Sequence, residues 1–127
     1  MILKYFIIFS FVVAGIINLI PSIGVLSNEK LTSLYGVDIV SDDLALLLRH
    51  RAVLFLIVGT MLLTAAFVHS LRPIAGIAGL VSMISFILLA WSLPDIGPLM
   101  KRIVTADIVA SLLLIAGLIV HSRGAHV

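Results

Sequence analysis

Cysteine is absent from the 127 residues, which excludes disulfides, thiolate metal sites and cysteine nucleophiles and leaves the redox compartment unread. Charge is scarce too. Only 11% of the residues are Asp, Glu, Lys or Arg, less than half of the ~25% usual in soluble domains. There is no Walker loop, no G-x-S-x-G elbow and no H-E-x-x-H, so the parts of the corresponding phosphate, acyl-transfer and zinc chemistries are missing. Eight basic residues against six acidic ones give a formal net charge of +2, and the pI is near 9.4. The basic residues are scattered without forming a stripe, which argues against nucleic acid as a partner.

What the chain does have is apolar sequence: 62% of it is hydrophobic and its mean hydropathy is +1.33. A chain this short leaves a large share of its surface exposed, so lipid is the solvent that suits it. A helix rises about 1.5 Å per residue and the hydrocarbon core is about 30 Å thick, so a span takes about 20 residues. Four stretches qualify, over about 2–20, 44–68, 73–93 and 99–120. The first is expected to stop at Pro21, and no small-x-small cleavage site follows it, so it reads as an anchor rather than a leader. Ser41 followed by Asp42 and Asp43 suits the start of the second, since a hydroxyl caps the helix and acids favour its positive end. Pro73 suits the opening of the third, where a missing N–H costs nothing. The turn from Pro94 to Pro98 separates the third from the fourth, and the tail from His121 onward is expected to fray.

Between the first two spans lies the only sizeable extramembrane segment, from Ser22 to Val40. Leu31, Leu34 and Tyr35 recur at helical spacing there, opposite Glu29, Lys30, Thr32 and Ser33. Asn28 can cap that turn and Gly36 can end it. The expected fold is therefore all-α: a single-domain polytopic membrane protein, a four-helix transmembrane bundle with a short amphipathic helix between helices 1 and 2. Small residues recur within the spans (Ala75 with Gly79, Ala78 with Ser82, Thr60 with Thr64, Ala106 with Ala110) and suit close helix approach.

Side A is defined by the N-terminus, the 69–72 turn and the C-terminus; side B holds the 21–41 segment and the 93–98 turn. All six acids fall toward side B, with Lys30, Arg49, Arg51, Lys101 and Arg102. Side A has Lys4, Arg72 and Arg123 without an acid. A plain count of Lys and Arg puts side B in the cytoplasm. If Arg49 and Arg51 are buried functional groups the count is even, and acid-free side A, with both termini, becomes cytoplasmic. His69, His121 and His126 share side A but lack metal-ligand spacing, so no metal site is read.

The constellation that carries chemistry lies toward side B. Arg49, His50 and Arg51 fall roughly 9–12 Å into the second span and Asp107 a similar depth into the fourth, while Asn18 and Trp91 sit near the side-B ends of the first and third. Charged groups inside a membrane helix cost about 2.5–3.5 kcal/mol each even on a lenient scale. Asp107, too short to snorkel, is expected to meet Arg49, Arg51 or His50. Two readings stay open: an ion-pair clasp fixing helix register, or a polar pocket for a ligand. The candidate ligand-binding residues are thus Asn18, Arg49, His50, Arg51, Trp91 and Asp107, with no catalytic set and no identified cofactor.

Leu34-Tyr35-Gly36 ahead of the second span, Leu48-Arg49-His50-Arg51-Ala52 at its opening, and the short turns after it resemble the DoxX-like group of small four-helix bacterial membrane proteins. The resemblance extends over nearly the whole chain. It implies a bacterial inner membrane; some members are accessory subunits of membrane oxidoreductases, and distant relatives assist assembly of other membrane proteins. The expected function is a non-catalytic accessory or assembly factor, with membrane lipid and another membrane protein or further copies of itself as partners. The alternative is a lipid- or quinone-binding protein or enzyme using the Arg49/His50/Asp107 pocket.

Overall fold

The computed structural model describes residues 1–124, and within them the fold is helical without a strand. Helix α1 spans Ile2–Leu19 and runs on through a 3₁₀ segment, Ile20–Val25; α2 spans Asn28–Tyr35, α3 Asp42–Phe67, α4 Arg72–Ser92 and α5 Pro98–Ser122. A 3₁₀ turn at His69–Leu71 joins α3 to α4. Apart from α2, these helices are long and apolar enough to cross a membrane, with mean hydropathies of 1.8 to 2.5 over their most apolar windows. The chain is an all-α membrane bundle.

The local signals explain most boundaries. The Ser41 side chain accepts a hydrogen bond from the Leu44 N–H at 3.1 Å, and Asp42 and Asp43 occupy the first turn of α3. Gly36 ends α2 in the left-handed region, at φ 68°, and its N–H donates to the Thr32 carbonyl at 2.8 Å. Three expectations are corrected. Pro21 does not stop the first span; it lies in the first two positions of the 3₁₀ segment, where its lost donor is not missed. Ser27 rather than Asn28 caps α2, accepting from the Lys30 N–H at 3.2 Å. At the other end, α5 takes in His121 and Ser122 instead of fraying there. His126 lies outside the described residues.

The helices pack as a ring, α1 against α3, α3 against α4, α4 against α5 and α5 back against α1. Its core is built from Ile7, Phe11, Leu62, Met83 and Leu114 with buried alanines between them. With lipid outside, these side chains gain no hydrophobic advantage from each other; close van der Waals packing holds the helices together. Glycines set the tightest approaches. A Cβ on Gly59 would stand 2.6 Å from Leu19 Cγ and 3.0 Å from the Gly15 carbonyl oxygen, so α1 and α3 touch backbone to backbone. A Cβ on Gly117 would collide with the Ser10 hydroxyl of α1 and stand 3.0 Å from its Cβ. Of the small residues expected to pack, Ala75, Gly79 and Ala110 are buried, whereas Thr60 and Thr64 face outward and the Thr64 hydroxyl donates to the Thr60 carbonyl at 2.8 Å.

Arg72, at the start of α4, is 1% exposed. Its Nε donates to the Ala65 carbonyl at 3.1 Å and its Nη2 to the Ala66 carbonyl at 2.9 Å. The last carbonyls of a helix have no partner within it, and in a membrane each must be satisfied by protein. One guanidinium from α4 therefore closes the end of α3.

Candidate functional site

The second layer of the bundle, toward side B, is looser and more polar. Asp107 lies nine residues into α5 and Arg51 nine into α3, each roughly 13–14 Å along its helix at about 1.5 Å per residue. Asp107 is only 5% exposed. It lies in the wall of a cavity of about 220 Å³ with Tyr35 from α2, Phe55 from α3, and Arg102 and Ala106 from its own helix; Ile17, Ile20 and Pro21 close the α1 side. Asp107, Arg102 and Tyr35 are the lining residues that carry a polar group, and Arg102, five residues nearer the membrane surface, is exposed.

The expected ion pair does not form. Among the described residues Asp107 accepts no hydrogen bond, and Nε and Nη2 of Arg51 are buried without a partner. Arg51 is nonetheless the cation whose field reaches Asp107. Its guanidinium sits between the rings of Phe55 and Phe86, 4.7 Å from each centroid, with Tyr35 at 5.8 Å. Cation–π contacts of this kind are worth about 2 kcal/mol or more when desolvated, so the rings take over part of the role a carboxylate would have had. Phe55 lines both the Asp107 cavity and a smaller space of about 180 Å³ between α3 and α4, and Arg51 lines the smaller one. Replacing Phe86 by Leu is expected to cost about 1–2 kcal/mol, read by reversible unfolding in detergent micelles. In an Arg51→Met background the loss should shrink, because the cation is gone.

The other sequence candidates scatter. Arg49 Nη2 donates to the Asn28 side chain at 2.8 Å, tying α2 to α3. His50, on the next face of the same helix, is exposed. Asn18 is buried, its Nδ2 donating to the Ala14 carbonyl at 2.8 Å and its Oδ1 unpartnered, but it does not line the cavity. Trp91 is 67% exposed and lies in a separate groove with Lys101 and Thr105. Tyr35 is the residue the candidate set lacked: it is 2% exposed, forms a cavity wall and has a buried hydroxyl without a partner. Its place on the apolar stripe of α2 was visible in the sequence, but the folding of that stripe over the bundle was not. Among the described residues no three of His, Asp and Glu gather into a metal-binding group.

Fold and site together define a small helical membrane protein with a largely apolar cavity holding a buried carboxylate. No family model, no curated protein and no solved structure matches the chain.

Proposed function

We propose that the protein is a non-catalytic membrane component that binds a lipid- or quinone-like amphipathic molecule with its polar end at Asp107. One observation carries this reading: a buried carboxylate without a hydrogen bond, nine residues into a helix apolar enough to cross a membrane, in the wall of a largely apolar cavity. Buried membrane charges are expensive and mark function by default, and cavities with an apolar body and a few polar groups suit amphipathic ligands. The DoxX-like layout and acid-free side A support a bacterial inner membrane with the termini in the cytoplasm.

The test is native mass spectrometry of the protein released from its own membranes in mild detergent. A bound small molecule is expected on the wild type and is expected to be lost in Asp107→Leu and in Ala106→Phe, which fills the cavity without touching the carboxylate. A ligand retained by both variants, or none on the wild type, removes the proposal.

A second reading, an accessory or assembly subunit, rests on the outward groove between α3 and α4, where Thr60, Thr64 and Ala75 leave room between Met61, Leu71 and Ile74. Small residues of this kind admit another helix closely. The same spectra decide it, because a partner protein would be seen as a stable added mass and a consistently solitary chain would exclude it.

A further inference from the structure

Arg51 is half-buried, and its Nε and Nη2 are enclosed without a hydrogen-bond partner. The guanidinium meets open space through its third nitrogen, Nη1, for which no described residue supplies an acceptor. The rings of Phe55 and Phe86, at 4.7 Å, balance the charge but carry no oxygen to receive its N–H groups. Arg51 is thus a cation held in place with a donor unused.

Of the two spaces beside Phe55, Arg51 lines the groove of about 180 Å³ between α3 and α4 and not the Asp107 cavity. It is the groove's only charged lining residue, and Leu54, Ser85 and Leu89, which also line it, are exposed on the outside of the bundle. The Ser85 hydroxyl already donates to the Ser82 carbonyl of its own helix at 3.1 Å. Val58 continues the wall seven residues further along α3, about 10 Å deeper in the membrane. A hydrocarbon core of about 30 Å takes about 20 helical residues, and that many counted back from Phe67, the end of α3, reach Leu48. Arg51 therefore lies about 5 Å inside the boundary, near the level of lipid phosphates, with apolar wall beneath it.

The complement of an unused guanidinium donor is an anion with oxygen acceptors. A fatty-acid carboxylate is a poor candidate, because a carboxyl taken out of water tends to protonate, whereas a phosphodiester is a far stronger acid and stays ionised. A zwitterionic head brings an ammonium as well, and the groove has no acid to receive it, only Arg51 to repel it. We propose that the groove between α3 and α4 binds an anionic phospholipid, its phosphate accepting from Arg51 Nη1 and one acyl chain lying along Leu54 and Val58. This site is separate from the Asp107 cavity and does not depend on the ligand proposed there.

The experiment is native mass spectrometry of the delipidated full chain in detergent, titrated with phosphatidylglycerol, with phosphatidylcholine of the same acyl chains, or with inorganic phosphate. The first phosphatidylglycerol is expected to bind the wild type about tenfold more tightly than phosphatidylcholine, the order of one charge-assisted hydrogen bond. Arg51→Met is expected to remove that preference. Ser85→Phe, which fills the groove and leaves the charge in place, should weaken phosphatidylglycerol by about the same factor. Lys101→Gln removes a cation from the same side of the membrane and should leave the preference unchanged. Circular dichroism and the unfolding midpoint show that each variant compared is folded, and the wild type with Ser85→Phe decides the matter if Arg51→Met does not fold. Equal binding of the two lipids by the wild type overturns the selection of an anion. A preference lost as fully in Lys101→Gln as in Arg51→Met belongs to side-B charge in general and overturns the site. Displacement of phosphatidylglycerol by inorganic phosphate, with Ser85→Phe binding the lipid like the wild type, overturns the lipid as the occupant.

Discussion

Gly59→Leu is expected to destabilise the bundle by about 3 kcal/mol or more, at the upper end of what overpacking costs in well-packed cores. The first atom beyond Cα would fall 2.6 and 2.8 Å from Leu19 Cγ and Cδ2 and 3.0 Å from the Gly15 carbonyl oxygen. Leu19 can turn aside, but the Gly15 oxygen belongs to a helix backbone and moves only if α1 moves. Gly59→Ala places the same first atom without the branch. Its better helix propensity returns about 1 kcal/mol, so the net loss should be nearer 1–2 kcal/mol. Gly97→Ala is the control, since a Cβ there meets nothing within 4 Å and its φ of −72° suits any residue. Reversible unfolding by SDS in mixed micelles gives the three values. A Gly59→Leu variant as stable as Gly97→Ala would mean that α1 and α3 do not cross at this glycine.

Arg72→Met is the other change with a large expected effect. It keeps most of the length and apolar volume of the side chain and removes the donors to the Ala65 and Ala66 carbonyls. Hydrogen bonds to charged groups contribute about 1.5–3 kcal/mol each, and burial leaves little water to replace them. A loss of about 3–5 kcal/mol is expected in the same titration. Arg72→Lys keeps the charge but not the fork and should recover about half of that loss by retaining one such bond. If methionine is tolerated as well as lysine, the guanidinium is not what closes α3.

Hydropathy and short-range signals made the bundle legible. Ser41 and Gly36 act on neighbours three or four residues away, so the sequence alone could assign them. Asn28 shows where such reasoning slips: the cap is Ser27, one residue earlier, and Arg49, 21 residues further on, engages the Asn28 side chain. For the site, depth was readable and rotation was not. The rise per residue put Arg51 and Asp107 at one level, but whether His50 or Arg51 turns inward depends on a helix phase set by packing. Arg51 could also satisfy itself on two rings, Phe55 and Phe86, that no spacing rule associates with it. Gly59 and Gly117 escaped notice because their partners lie in another helix, whereas small-residue spacing is read within one helix. Arg72 entered the sequence reading only in the charge count of side A, and only the fold shows the helix end beneath it.

The ring of helices has a topological consequence. Leu19 packs at Gly59 and Leu63 at Gly15, while Leu118 packs at Gly76 and Leu114 at Gly79, so neighbouring helices run antiparallel and the start of α1 lies on the same face as the end of α5. Because α1 and α5 are themselves neighbours, the order in which the chain visits the four positions is cyclic. A circular permutant opened between Pro94 and Gly97, with a linker joining α5 to α1, would keep every helix beside its present neighbours and leave Arg72 over the end of α3. The architecture therefore belongs to the closed ring of contacts, and the place where the chain is cut is a separate property.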